Sequence, residues 1–244
     1  MRNIAIVLAA GAGSRMQSDT PKQYMEILGK PVLYYSLAVF EQSPVISDIV
    51  LVTRPGEEEY CRRNFIKPYG FGKVRAIVAG GEERYLSVYQ GIQVIKEFVV
   101  SEDGLVFIHD GARPCLSEEV IERLCHEAQE YDAAIAGVPV KDTIKMVDTN
   151  STVEQTPDRK CLWQIQTPQV FKRELIITAY EAIMKQDCSG VTDDAMVVET
   201  VTGTPVHVTM GAYENMKITT QEDVAIAEVL LRRLGRESPE REKP

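Results

Sequence analysis

Six short apolar runs recur along the chain with helical stretches between them, and this alternation constrains the fold more than any other feature. The runs read "NIAIVLAA", "DIVLVT", "VRAIVAGG", "GLVFIHDGA", "AAIAGVPV" and "PVHVTMG". Their almost continuous apolar character is typical of strands that are buried on both faces of a parallel sheet. The alternation therefore predicts a doubly wound α/β fold, whose ligands bind at the carboxyl ends of the strands.

Several of the stretches between and after these runs carry helix signals. "PVLYYSLAVFEQ" opens with Pro31 at a favourable first helical position, and "SEEVIERLCHEAQEY" opens with Ser117 as an N-cap that acidic residues follow. "QEDVAIAEVLLRRLGR" has the pattern of a final amphipathic helix. The polar residues 236–244 after it predict a disordered tail.

The segment 138–171 departs from the alternation. Within it, "VKDTIKMV" and the run after Val153 alternate polar and apolar residues around the turn-like "DTNST". This pattern predicts an antiparallel β-arm that leaves the sheet. Because a two-stranded ribbon is only marginally stable alone, we expect the arm to pack on another surface, with a second subunit as the first candidate. The predicted organisation is a core of 1–137 and 172–235, interrupted by the arm.

Composition excludes several classes of partner. The net charge of -9 and the pI near 5.0 argue against nucleic acids and anionic membranes, because both favour a basic face. No apolar run approaches the length that spans a bilayer. Five scattered cysteines without a C-x-x-C pair favour reduced thiols in a cytoplasmic protein. With three histidines, a histidine-rich metal centre is not expected.

A glycine loop, "LAAGAGSRM", follows the first apolar run. Met16 stands where a dinucleotide-binding fingerprint requires its third glycine, and no acidic residue ends a second strand about 20 residues later. The loop also lacks the Walker A pattern. A turn with exposed backbone N–H groups, flanked by Arg15 and Lys22, suits a triphosphate. The alternative at this point is a plain strand-to-helix turn with both cations in solvent.

Further motifs follow the loop in a fixed order. They read "PKQY", "GGEERYLSV", "HDGARP", "DRKCLWQIQTPQ", "TDDA" and "ENMKIT". With them the chain resembles, over nearly its whole length, the polyol-phosphate cytidylyltransferases of the nucleotidyltransferase superfamily. The resemblance implies a Rossmann-like, mostly parallel sheet with an extended antiparallel β-arm.

The resemblance also implies the reaction, which is transfer of CMP from CTP to a polyol phosphate with release of pyrophosphate. "DRKCLW" and "TDDA" favour the branch that acts on methylerythritol phosphate in non-mevalonate isoprenoid synthesis. A ribitol 5-phosphate enzyme remains an alternative, as does a non-catalytic nucleotide sensor on the same fold. The reaction requires cations more than a general base, because the attacking phosphate is already largely ionised.

By the same resemblance, Arg15 and Lys22 hold the CTP phosphates, while Arg159 and Lys217 hold the substrate phosphate. The implied CTP-binding residues are Ala9, Ala10, Gly11, Gly13, Gly80, Gly81, Glu82 and Ser87. The other implied substrate-binding residues are Asp110, Arg113 and Thr143.

A cofactor and a partner are implied as well. Mg²⁺ is expected to be held mainly through the CTP phosphates, and no protein ligand for it is predicted. The resemblance implies a homodimer in which the arm carries Thr143 and Arg159 into the active site of the neighbouring subunit.

Overall fold

The computed structural model describes residues 2–11, 21–98, 104–186, 188 and 190–236. Its main sheet is built from the strands β1 (Ile4–Leu8), β4 (Asp48–Thr53), β5 (Val74–Ala79), β6 (Leu105–Asp110), β7 (Ala133–Pro139), β10 (Trp163–Lys172) and β11 (His207–Met210). Two short ladders are formed by β2 (Glu26–Ile27) with β3 (Lys30–Pro31), and by β8 (Met146–Val147) with β9 (Val153–Gln155). The predicted tail lies, from residue 237 onward, outside the described residues.

The seven strands of the main sheet follow the order β11-β7-β10-β6-β1-β4-β5. All neighbouring pairs are parallel except the two that involve β10. The six apolar runs of the sequence are therefore the six parallel strands. This confirms the prediction of a doubly wound, mostly parallel α/β fold.

The helices are α1 (Val32–Gln42), α2 (Glu58–Cys61), α3 (Lys67–Tyr69), α4 (Arg84–Lys96), α5 (Glu118–Tyr131), α6 (Arg173–Ile183), α7 (Asp194–Thr202) and α8 (Gln221–Arg233). A π-helical turn, Arg62–Ile66, joins α2 to α3. Pro31 and Ser117 occupy the N-cap positions of α1 and α5, so both helices begin within a residue of the expected place. No helix in the described ranges is long and apolar enough to cross a membrane.

Helices cover both faces of the sheet, because successive side chains of a strand point to opposite sides. In β1, Ala5 and Val7 pack in one apolar cluster with residues of α1 and α5. Ile4 and Ile6 pack in a second cluster with residues of α4, α6 and α7. The sheet is therefore buried on both faces, and its strand ends are left to bind ligands.

The predicted arm is too long, because its C-terminal part is a central strand of the sheet. β10 lies between β7 and β6 and is antiparallel to both. Its glutamines produce the alternation that predicts an exposed ribbon, yet Gln166 and Gln169 are buried. Their Nε2 groups donate to Ala212 O and to Asp193 Oδ2, each at 2.8 Å. Tertiary partners thus satisfy polar groups that the sequence pattern places in solvent.

The remainder of the predicted arm does leave the sheet. It departs after Pro139 and returns at Trp163, which pairs with Pro139 across the ladder. Between these points, the segment that contains the β8–β9 ribbon carries large apolar side chains that are 41% to 54% exposed, namely Ile144, Met146, Val147 and Val153. An isolated chain leaves this apolar surface of the arm in water.

Candidate active site

A cleft lies at the edge of the sheet where the parallel strands end. The segments after β1 and β5 and the last residue of β6 meet there. Of the predicted site residues, those lining the cleft are Ala9, Ala10, Gly11, Lys22, Gly81, Glu82, Ser87, Asp110 and Lys217. Four distant parts of the sequence therefore come together as the strand-end argument predicts. Arg15 and Gly13 lie outside the described residues.

The turn that carries Lys22 is fastened to the end of β1. Gln23 is buried, and its Nε2 donates to Ala9 O at 2.5 Å and to Gly11 O at 3.3 Å. Lys22 Nζ donates to Ile218 O at 3.2 Å. Lys22, one of the two cations predicted for the CTP phosphates, therefore lies beside the segment that carries Lys217.

Gly81 lines the opposite wall of the cleft, and the predicted residue Gly80, which follows β5 directly, is not one of the lining residues. Gly81 N donates to Ser87 Oγ at 3.2 Å, which closes the turn onto the first part of α4. A Cβ on Gly80 would lie 2.6 Å from both Ala10 Cβ and Ser87 Oγ. Because such distances are not compatible with a side chain, glycine is required for the two loops to approach each other.

The carboxylate of Asp110 is surrounded by three positively charged side chains. Its Oδ2 lies 2.8 Å from Lys217 Nζ and its Oδ1 lies 3.3 Å from Arg84 Nε. Arg113 Nε is 3.9 Å from Oδ2. Burial alone would raise the pKa of Asp110, but the three cations lower it well below its ordinary value. Asp110 is therefore an anion that holds Lys217 at the cleft.

Arg113 does not line the cleft. Its side chain lies behind Asp110 and donates from Nη1 to Asn215 O at 2.7 Å. Its Nε is buried without a hydrogen-bond partner, and burial lowers the pKa of the guanidinium. Within one chain, Arg113 supports the charge of Asp110 and fixes the segment before Lys217.

Sequence analysis missed the ion pair that connects the cleft to the interior. Arg84 Nη1 and Nη2 donate to the two carboxylate oxygens of Asp194 at 3.1 and 2.7 Å. Tyr180 OH donates to the same carboxylate at 2.6 Å. Both partners lie in motifs that carry the resemblance, "GGEERYLSV" and "TDDA", and that is the one sequence signal for them.

The strand that ends at Asp110 is held by a buried histidine. His109 Nδ1 is 3.1 Å from Thr167 Oγ1, which accepts the Asp110 N–H at 3.0 Å. Nε2 faces Arg113 O at 3.4 Å, and because a carbonyl oxygen can only accept, the proton of the neutral ring is assigned to Nε2 and Nδ1 accepts the hydroxyl proton of Thr167. Burial lowers the pKa of His109 to about 3.

Thr143 and Arg159 lie on the arm and do not line this cleft. Thr143 is exposed, and Arg159 is exposed with Nη1 donating to Lys141 O at 2.9 Å. Arg159 and Lys217 are therefore not brought together as a pair within one chain.

The carboxylates of the cleft are compatible with a Mg²⁺ ion that is carried by a bound nucleotide. The described ranges contain no cluster of three or more His, Cys, Asp or Glu side chains that could hold an ion. Asp110, the central carboxylate of the cleft, is engaged with Lys217 and Arg84. Mg²⁺ retains several waters and commonly binds through substrate phosphates, and an ion held in that way does not require a cage of protein carboxylates.

A mostly parallel, doubly wound sheet with glycine turns and the cations Lys22 and Lys217 at its carboxyl edge is the arrangement expected of a nucleotidyltransferase. The family model described as 2-C-methyl-D-erythritol 4-phosphate cytidylyltransferase matches residues 3–233, and the chain belongs to this family.

Individual relatives are similar over nearly their whole length. The chain is 49% identical over 231 residues to the 2-C-methyl-D-erythritol 4-phosphate cytidylyltransferase of Lachnospira eligens, covering 94% of this chain and 99% of that one. It is 45% identical to the protein of that name from Caldanaerobacter subterraneus subsp. tengcongensis, covering 94% and 98%. The 4-diphosphocytidyl-2C-methyl-D-erythritol synthase structure from Anaerococcus prevotii superposes with a TM-score of 0.80 at 34% identity, covering 95% and 97%.

Proposed function

We propose that this protein transfers CMP from CTP to 2-C-methyl-D-erythritol 4-phosphate in non-mevalonate isoprenoid synthesis. The products are 4-diphosphocytidyl-2-C-methyl-D-erythritol and pyrophosphate. The observation that carries the proposal is the convergence of Lys22, Lys217 and Asp110 on one cleft beside the glycine turns. Family membership and the names of the relatives favour methylerythritol phosphate over ribitol phosphate as the acceptor.

The reaction is an in-line displacement at the α-phosphorus of CTP. An oxygen of the substrate phosphate forms the new P–O bond while the bond to pyrophosphate breaks, and the negative charge departs with pyrophosphate. Lys22, together with Arg15, stabilises the charge on the triphosphate, and Lys217 holds the attacking phosphate. Because that phosphate is already ionised, no side chain has to remove a proton from it.

The glycine turn after β5 supplies the nucleotide pocket. Gly80 and Gly81 let the cytosine ring approach the backbone, while Glu82 and Ser87 offer polar atoms to its edge. Asp110 is placed to accept from hydroxyl groups of the ribose or the substrate. Mg²⁺ bound to the triphosphate would neutralise part of its charge, with the phosphates as its principal ligands.

The active unit in this proposal is a homodimer. The exposed apolar side chains of the arm would be buried against a second subunit. Thr143 and Arg159 would then complete the neighbouring cleft, where Arg159 joins Lys217 at the substrate phosphate. A cytoplasmic location agrees with the five cysteines, all of which are free thiols.

Pyrophosphate release tests the assignment. The purified protein is given CTP and Mg²⁺ with methylerythritol phosphate or ribitol 5-phosphate in parallel. Release with the first acceptor is expected. Release with ribitol phosphate alone would overturn the choice of acceptor, and stoichiometric CTP binding without release would indicate a nucleotide sensor.

A further inference from the structure

Asp194 is a buried carboxylate that the reaction does not use directly. It is the first residue of α7, and none of its side-chain surface is exposed. Its backbone N–H donates to Gln169 Oε1 at 2.9 Å, which fixes the start of α7 against β10. A charge held this far from solvent is costly unless it is fully paired, so its partners define its role.

The partners of Asp194 hold Arg84 in one orientation. The guanidinium donates to both carboxylate oxygens through Nη1 and Nη2, and the remaining Nε faces Asp110. A bidentate contact fixes the plane of a guanidinium, whereas a single contact leaves it free to turn. Tyr180 OH fixes the carboxylate of Asp194 in turn, at 2.6 Å.

Arg84 transmits this orientation to the cleft. Asp110 receives Arg84 at Oδ1 and Lys217 at Oδ2, so the position of its carboxylate depends on both cations. Lys217 is a long, flexible side chain with 35% of its surface exposed, and among the described residues its ammonium group pairs with the carboxylate of Asp110. If Arg84 turned away, Asp110 could rotate and Lys217 would lose its fixed position.

We infer that Asp194 is a positioning residue for Lys217, acting through the continuous chain of contacts Tyr180–Asp194–Arg84–Asp110–Lys217. The inference rests on the proposed function for its kinetic consequence. Its structural part does not depend on the substrate. That part states that Asp194, at the start of α7, fixes the position of Lys217 through Arg84 and Asp110.

The chain offers a matched control at the opposite end of the sheet. Asp48, at the amino end of β4, is also a buried carboxylate held by an arginine, with Arg2 Nε at 2.5 Å and Arg2 Nη2 at 2.9 Å. Arg75 approaches it at 3.7 Å. Asp48→Asn therefore removes the same kind of contact without touching the cleft.

Acylation of Lys217 tests the inference without an activity assay. Wild type, Asp194→Asn and Asp48→Asn are treated with limiting acetic anhydride, and modification of Lys217 is quantified by mass spectrometry relative to the exposed Lys185. We expect Lys217 to react several-fold faster in Asp194→Asn and at the wild-type rate in Asp48→Asn. An unchanged rate in Asp194→Asn, or an equal rise in both variants, would overturn the inference.

Kinetics test the same inference through a double-mutant cycle. Asp194→Asn should lower kcat about tenfold or more, because small displacements of a positioned group are costly. In a Lys217→Ala background the same change should have little further effect. Additive losses would overturn the inference. Tyr180→Phe, which deletes one hydroxyl, provides a milder variant if Asp194→Asn does not fold.

Failure of the proposed function would be recognised separately. A wild-type protein that releases no pyrophosphate with either polyol phosphate would refute the assigned reaction, and the acylation comparison would still decide the positioning role. Asp194→Glu provides a further check, because it keeps the charge and should recover part of the protection of Lys217.

Discussion

Gly80 and Ala10 are in direct contact where the segments after β5 and β1 meet, and a Cβ on Gly80 would lie 2.6 Å from Ala10 Cβ. The variant Gly80→Ala should therefore force the segments after β5 and β1 apart beside the proposed nucleotide pocket. Overpacking of this kind costs about 1–3 kcal/mol. We expect the KM for CTP to rise roughly tenfold, with a smaller change in the KM for the acceptor, measured by pyrophosphate release.

Gly72→Ala is the control for that variant. A Cβ on Gly72 would meet Glu41 Oε1 at 3.5 Å, an ordinary van der Waals distance. This variant should retain the wild-type KM for CTP. Equal values for the two variants would show that the contact between Gly80 and Ala10 does not shape the pocket.

Lys217→Ala should remove the cation that we propose holds the attacking phosphate. Loss of one such charge costs about 3 kcal/mol in the transition state, or roughly 100-fold in kcat. The KM for CTP should change little, because Lys22 remains. Lys96→Ala, which removes an exposed lysine paired with Glu181 outside the cleft, should leave kcat unchanged. Full activity of Lys217→Ala would refute its proposed role.

Because His109 is buried, we expect the free energy of unfolding to fall in acid. Burial lowers its pKa from 6.5 to about 3, so the folded protein keeps the ring neutral while the unfolded chain binds a proton below pH 6.5. This contribution to stability is complete above pH 6.5 and is lost as the pH falls towards 3. Between pH 7 and pH 5 it amounts to about 2 kcal/mol in the free energy of unfolding.

Urea unfolding of His109→Gln at both pH values measures this contribution. The variant should lose about 2 kcal/mol less than wild type between pH 7 and pH 5. His126→Gln, at an exposed position, should keep the wild-type dependence. The lowered pKa of Asp110 acts in the same direction, but its contribution is lost only below about pH 4. Identical pH dependence of wild type and His109→Gln would contradict the prediction.

Subunit mixing tests whether the arm acts on the neighbouring site. Lys217→Ala and Arg159→Ala should each be nearly inactive alone. If each arm completes the other subunit's cleft, a mixed dimer has one intact site and one doubly defective site. A refolded equal mixture should then regain about a quarter of wild-type activity. No recovery from mixed dimers would show that Arg159 does not serve a neighbouring cleft.

The parallel strands could be predicted because strands that are buried on both faces appear in the sequence as apolar runs. β10 could not, because Gln166 and Gln169 are polar residues in a buried strand. Their partners, Ala212 O and Asp193, are 46 and 24 residues away along the chain. Local pattern cannot distinguish a glutamine with a buried partner from one in solvent.

The residues of the candidate site divide in the same way, into those that a local motif predicts and those that it does not. Lys22, Asp110 and Lys217 are each marked by a motif beside a predicted strand end, and the structure brings them to one cleft. The Arg84–Asp194 pair joins residues 110 positions apart, and no spacing rule links them. The roles of Arg15 and Gly13, which lie outside the described residues, stay predictions.

The arm begins and ends on adjacent rungs of the same ladder. Trp163 pairs with Pro139, and Val140 N donates to Leu162 O at 3.0 Å. The residues between form a closed excursion whose two ends are already joined by the sheet. Insertions, deletions or wholesale replacement within it would leave the registers of β7 and β10 intact. By its connections to the sheet the arm is a separable module, whose length and sequence can change without moving the strands of the core.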